Sequence, residues 1–165
     1  SSAASDVYKR QLNNRRVFVT RTFSKLFSMA GCRLGYVCGH PEDIKYVQKF
    51  CTPHNTNAFA MLFAEKILTT PGMVDGLIVK FNEGRSYLLN TLDRNGYRHK
   101  GEAGNFLFIE PKTCAKTIVE RMKNEKNILI KEYQNVGEFG NCLRVSIGEK
   151  QYMKIFMDAL LEIDK

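Results

Sequence analysis

The chain has no tryptophan, three histidines and four prolines among its 165 residues, and no apolar run long enough to cross a membrane. Its five cysteines, Cys32, Cys38, Cys51, Cys114 and Cys142, contain no C-x-x-C pair and no histidines at zinc-finger spacing. That excludes the common structural zinc modules, and no metal is expected. An odd, irregularly spaced set also argues against a disulfide framework. Buried free thiols in a reducing compartment, the cytoplasm, are the expectation. Acidic residues are in deficit, 17 against 25 lysines and arginines, giving a net charge of +8. Such a balance suits a partner bearing phosphate or carboxylate groups, and equally a plain solvated surface. A nucleic-acid-binding module is the reading that charge alone would prompt. The RNP-type aromatic motif and clustered basic stripe of such modules are missing, so no nucleic acid is expected as partner. Internal repeats and low-complexity tracts are absent too. Residues 1–11, Ser1 to Gln11, lack the apolar stretch of a secretory signal and read as a non-native or disordered leader.

What is present is 44% hydrophobic residues, enough for one core. Val17–Thr20 and Arg33–Cys38 read as strands with continuous apolar runs, the pattern of strands covered on both faces in an α/β sheet. Between them lies a polar segment carrying Lys25. Pro41 suits the first position of a helix running to about Phe50, and Pro53 ends it. Asn57 reads as the cap of a second helix in which Met61, Ala64 and Leu68 share a face. After Pro71-Gly72, the spacing of Val74, Leu77, Phe81, Leu88 and Leu92 predicts one long helix to Asn95, with Gly96 as its stop. Phe106–Ile109, Ile128–Ile130 and Leu143–Ile147 read as strands, with helices near Cys114–Asn124 and Gln151–Ile163 between and after them. In the last helix Tyr152, Phe156, Ala159, Leu160 and Ile163 fall on one face. Leu143, Val145 and Ile147 alternate onto one side of their strand, so Arg144 and Ser146 must face the other.

Two segments carry chemistry. Thr22-Phe23-Ser24-Lys25, followed by Ala30-Gly31-Cys32-Arg33-Leu34-Gly35-Tyr36, resembles the T-x-S-K and A-G-x-R-x-G-Y signature of class I/II pyridoxal-phosphate-dependent aminotransferases. Asn141-Cys142-Leu143-Arg144-Val145-Ser146-Ile147-Gly148 is similar to the L-R-[IV]-[ST]-[IV]-G strand of the same family. Asn105-Phe106 resembles its N-F pair, and Cys51–Asn57 its P-[YF]-N-[VL]-[NS] turn, with His54 where an aromatic is common. A structural role is expected for His54. Within that family the resemblance is to the histidinol-phosphate aminotransferase type.

The resemblance implies pyridoxal 5'-phosphate as cofactor, Lys25 as the catalytic lysine that forms an imine with it, and Thr22, Ser24 and Arg33 as contacts to its phosphate. It implies Arg144 as the substrate-carboxylate ligand. The residue types suit those roles. An amine can exchange imines and then serve as general base and acid. A planar guanidinium pairs bidentately with phosphate or carboxylate. Taken singly, Lys25 or Arg33 would read as a solvated charge and Arg144 as a strand-edge ion-pair partner. Lys131 stands where histidinol-phosphate aminotransferases commonly have an arginine, which keeps the charge but loses the fork.

The fold implied is α/β of the fold-type I class: a partial large domain followed by a small α+β C-terminal domain. Residues 12–70 would be the end of the cofactor-binding domain, 71–96 an interdomain helix and 97–165 the small domain. Before Lys25 the only acidic residue is Asp6, whereas the family places an aspartate partner for the cofactor ring nitrogen in its N-terminal half. Without that partner the ring is a poor electron sink, so the chain reads as an incomplete and inactive piece of such an enzyme. Amino- and keto-acid substrates, a homodimer in the full-length protein and no membrane are the implied partners. A threonine-phosphate decarboxylase on the same scaffold is the near alternative.

Overall fold

The computed structural model describes residues 17–52, 55–101 and 103–165. The leader expected at residues 1–11, and the residues Pro53 and His54, lie outside the described residues. The chain divides into two compact units, the second beginning at Asp75.

In the first unit β1 (Val19–Thr22) pairs antiparallel with β2 (Gly35–Cys38), from Val19 opposite Cys38 to Thr22 opposite Gly35. Strand β1 thus begins two residues later than the apolar run suggests. The expectation of two-sided cover is not met, since most residues of the hairpin are exposed. Packing is concentrated beyond its end, where Phe23, Met29 and Leu34 are buried against Ala60 and Ala64. Helix α1 (Pro41–Gln48) has Pro41 in its first turn. Helix α2 (Ala58–Thr69) is capped by Asn57, whose side-chain oxygen accepts from the Phe59 and Ala60 amides at 2.9 and 3.2 Å. Its buried face is not Met61 and Leu68, which stay exposed, but Ala60 and Ala64, with Ile67 packed beside them. Small residues let the helix backbone approach the loop closely, and Glu65, Lys66 and Thr69 fall on the opposite side of the helix.

The long helix α3 (Met73–Arg94) ends near Gly96, which has φ +71° and so occupies the left-handed conformation of a C-terminal stop. The second unit holds an antiparallel four-stranded sheet in the order β3-β4-β6-β5: β3 (His99–Lys100), β4 (Phe106–Ile109), β5 (Lys131–Tyr133) and β6 (Cys142–Ser146). Helices α4 (Ala115–Lys126) and α5 (Lys150–Ile163) complete it. Leu107, Ile109, Leu143, Val145 and Ile147 pack with Leu88 and Leu92 of α3, Ile118 and Met122 of α4, and Met157 and Leu160 of α5. Each such burial contributes about 1.5–3 kcal/mol. On α5, Phe156, Ala159, Leu160 and Ile163 are buried as the periodicity predicts, whereas Tyr152 is exposed and Met153 is buried instead.

Strand β5 starts three residues beyond the predicted Ile128–Ile130. Asn127 adopts a left-handed conformation (φ 55°) and the Ile128 amide donates to the Met122 carbonyl at 2.9 Å. The apolar triplet is therefore spent on closing α4 and on core contacts of Ile128 and Ile130. All five cysteines are free, as expected, but only Cys142 is buried; Cys51 and Cys114 are exposed. A thiol needs no burial to stay reduced, so compartment does not predict exposure. Among the described residues no helix is long and apolar enough to cross a membrane, and no cluster of His, Cys, Asp or Glu could hold a metal ion.

Candidate active site

The segment from Thr22 to Leu34 is a closed, hydrogen-bonded loop. The Phe23 amide donates to the Leu34 carbonyl at 3.1 Å, extending the hairpin by one rung, and the Met29 amide returns to the Phe23 carbonyl at 3.1 Å. Inside it, the Ser28 amide donates to the Lys25 carbonyl at 2.9 Å. Phe23, Met29 and Leu34 face the apolar cluster, with the Phe23 and Phe27 ring centroids 4.9 Å apart. Those anchors leave the polar residues between them outward: Lys25, Thr22 and Arg33 are exposed and Ser24 is half-buried. Among the described residues of this unit none gives Lys25 a dry environment, and its side chain is exposed.

Thr22 and Ser24 are organised as a pair. The Thr22 hydroxyl donates to Ser24 Oγ at 2.8 Å and its oxygen accepts the Ser24 amide at 3.0 Å. The Ser24 hydroxyl proton is thereby left to point elsewhere. Arg33 holds a left-handed backbone (φ 52°), and its Nη1 donates to the Ala30 carbonyl at 3.1 Å. Most of its five donors stay available. Hydroxyls two residues apart and a guanidinium suit a phosphate dianion. The residues present therefore fit the phosphate end of pyridoxal phosphate, with a solvent-accessible amine at Lys25.

The signature contains Gly35 without giving it a role. Gly35 sits opposite Thr22, and a Cβ there would lie 2.8 Å from the Arg21 carbonyl oxygen, closer than real side chains come. Only glycine lets the strands close at that rung.

In the second unit Arg144 and Ser146 lie on the sheet face opposite the core, as the alternation predicts: Ser146 is exposed and Arg144 half-buried. The Arg144 guanidinium carbon stands 4.0 Å over the Phe106 ring. By register, Arg144 is flanked by Phe108 on β4 and Lys131 on β5. Phe106 and Phe108 meet edge to face at 5.4 Å, and Phe108 meets Tyr133 at 5.7 Å. Phe106 is thus half-buried support for Arg144 rather than a core residue. Asn105 contributes its carbonyl, which accepts the Ile147 amide at 3.0 Å. Beside these rings an open cavity of about 860 Å³ is lined by Phe106, Phe108 and Phe139 together with Lys100 and Glu138.

The family model for class I and II aminotransferases matches residues 3–160. The chain belongs to this family. A histidinol-phosphate aminotransferase of Citrifermentans bemidjiense is 31% identical over 147 residues, covering 89% of this chain and 42% of the relative. Among solved structures, histidinol-phosphate aminotransferase from Sinorhizobium meliloti in complex with pyridoxal-5'-phosphate superposes with TM-score 0.80 at 22% identity, over 94% of this chain and 43% of that one. L-threonine-O-3-phosphate decarboxylase from Porphyromonas gingivalis gives 0.71 at 20% identity, over 94% and 49%. The fold is that of fold-type I aminotransferases, and the chain spans about two fifths of the curated relatives it matches.

Proposed function

We propose that the chain supplies the lysine and carboxylate-binding parts of a pyridoxal-phosphate-dependent transaminase of the histidinol-phosphate type, moving an amino group between glutamate or 2-oxoglutarate and an acidic or phosphorylated amine. The observation that carries this reading is the loop closed by the Phe23–Leu34 rung, whose apolar anchors are buried while Thr22, Lys25 and Arg33 stay exposed and Ser24 is hydrogen-bonded to Thr22. In this reading the Ser24 hydroxyl and the Arg33 guanidinium hold the phosphate, and Thr22 orients Ser24. Pyridoxal phosphate, when bound, supplies an aldehyde that captures amines and a conjugated ring that accepts electrons. Lys25 anchors it and then takes and returns the proton at the substrate α-carbon. Arg144 grips the substrate α-carboxylate as a bidentate fork. Lys131, Cα-paired with Arg144, gives the same sheet face a second cation, which favours a substrate with a second anionic group.

A substrate-level alternative is a threonine-phosphate decarboxylase on this scaffold, favoured by the same pair of cations, since threonine phosphate carries both a carboxylate and a phosphate, whereas histidinol phosphate carries the phosphate alone and glutamate two carboxylates. Comparing a full-length version on histidinol phosphate, phenylalanine and threonine phosphate separates the two. The activity, its substrates and a homodimer belong to the whole protein, with a reducing cytoplasm as its setting. The relatives are more than twice as long as the matched span, and the 165-residue chain alone is expected to turn over little. The direct test is borohydride trapping of pyridoxal phosphate on the purified chain, followed by peptide mapping. Trapping concentrated on Lys25 and weakened in Arg33→Gln supports the assignment; label spread evenly over the exposed lysines overturns it.

A further inference from the structure

One turn of helix α3 touches the backbone at two separate strand ends. Gly84 is buried in mid-helix, where glycine is unfavourable unless packing demands it. Packing does demand it: a Cβ at Gly84 would run into the Gly148 carbonyl oxygen and would lie 3.0 Å from the carbonyl carbons of Gly148 and Glu149. These are backbone atoms, so no rotamer change relieves the clash. By contrast, a Cβ at Gly76 on the same helix meets nothing within 4 Å. The next residue, Arg85, donates from Nη2 to the Gly104 carbonyl, and its guanidinium carbon lies 4.9 Å over the Phe81 ring. One turn earlier, Lys80 stands 3.6 Å from Glu149.

The two backbone segments gripped this way flank the arginine-bearing part of the sheet. Gly104 precedes Asn105 and β4, and Gly148 follows β6. The Ile147 amide bonds the Asn105 carbonyl at 3.0 Å, joining them. The last rung of β4 and β6 pairs Phe106 with Ser146, and Phe106 is the ring beneath the Arg144 guanidinium. We propose that Gly84 and Arg85 are positioning residues: this turn of α3 fixes the Gly104–Phe106 and Ser146–Gly148 backbone, and through Phe106 the aim of Arg144. The functional half of this rests on Arg144 as the carboxylate ligand. A substitution at either position acts on anion binding without touching the anion.

The test uses the isotope-labelled chain, with amide hydrogen exchange and glutarate binding at the Arg144 Nε resonance as readouts. Wild type is compared with Gly84→Ala, Arg85→Gln, Arg85→Lys and Gly76→Ala. Gly84→Ala is expected to speed exchange at Ile147 and Gly104 selectively and to weaken glutarate binding about tenfold. Arg85→Gln, which cannot overpack, is expected to loosen Gly104 most, with partial rescue by Arg85→Lys. Gly76→Ala leaves both readouts at wild type. Wild-type exchange and affinity in Gly84→Ala and Arg85→Gln overturn the proposal. So does a uniform loss of protection that includes Leu88, Leu143 and Leu160, which would mark a general packing role. If wild type binds no glutarate while the selective exchange changes appear, the positioning contacts stand and the carboxylate reading of Arg144 fails.

Discussion

The guanidinium of Arg144 rests on the face of Phe106, 4.0 Å from the ring centre, while register sets Lys131 beside it on the neighbouring strand. The stack holds a long side chain in one plane without consuming its hydrogen-bond donors, so the fork remains free for a carboxylate. Phe106→Leu keeps the bulk but removes the π-face, at a cost of about 1 kcal/mol, or about fivefold in carboxylate affinity. Arg144→Lys keeps the charge, loses the fork and should weaken binding more. Titration calorimetry of the chain with glutarate checks both, and equal affinity in wild type and Arg144→Lys would remove the bidentate role.

A second prediction concerns alkaline pH. Burial, and then the negative charge of Asp164, push the Tyr97 phenol well above its ordinary value of 10.0. The folded chain therefore favours the protonated phenol more than the unfolded chain does. This stabilising contribution is full below pH 10 and is lost as pH rises from there toward the folded value. Melting temperature measured from about pH 9 to pH 11 should fall less steeply in Tyr97→Phe than in wild type. Parallel slopes would show that the phenol is not linked to folding.

Asp164 itself closes the second unit. Its carboxylate is buried and accepts from the Lys112 amide at 2.9 Å, the Thr113 amide at 2.8 Å and the Thr113 hydroxyl at 2.7 Å. Asp164→Ala leaves those donors without their acceptor and is expected to cost about 2–4 kcal/mol in denaturant unfolding. A change near zero would show that water replaces the carboxylate freely.

Much of this architecture was legible because local signals and tertiary packing agree. Asn57 caps, Gly96 stops, and the alternation of Leu143, Val145 and Ile147 turns Arg144 away from the core. The failures have physical causes. On α2 the larger side chains Met61 and Leu68 dominate the sequence pattern, yet the small Ala60 and Ala64 carry the buried face because they admit close backbone approach. Ile128–Ile130 looks like a strand, but a left-handed Asn127 spends it on ending a helix. The two-residue strand His99–Lys100 carries no periodicity at all and exists through its pairing with Phe108 and Ile109. Within the site, the motif residues were readable as chemistry. The reason for a glycine at Gly35 in the motif, and at Gly84 outside it, was not, because what matters there is the space a side chain would occupy in a folded neighbour.

Helix α2 leads to a prediction about association. Phe59, Leu62 and Phe63 are 73%, 63% and 59% exposed on it, an apolar display larger than a solitary soluble helix carries. The isolated chain should self-associate with rising concentration in sedimentation velocity. The double variant Phe59→Lys, Leu62→Lys should shift it toward monomer without altering the circular dichroism of the fold. Monomeric wild type at high concentration would dismiss this.

The cysteines give the sharpest chemical contrast. Cys114 precedes the first turn of α4, where the Thr117 amide, then the Thr117 hydroxyl and the Lys116 amide, hold its thiol below the ordinary value of 9.0. Amide donors stabilise the thiolate directly, as they do at other helix N-termini. Cys142 is the opposite case: fully buried, with burial first and Glu110 second pushing its thiol up. A thiolate is the reacting species, so lowering the value enlarges the reactive fraction near neutral pH and raising it shrinks that fraction. Iodoacetamide at neutral pH should therefore modify Cys114 well before Cys142 under native conditions, with the order collapsing in denaturant. Thr117→Val removes the hydroxyl donor but keeps the amide, and should slow Cys114 alkylation only in part. Cys142 labelling as fast as Cys114 in the native chain would mean that the core around β6 opens freely.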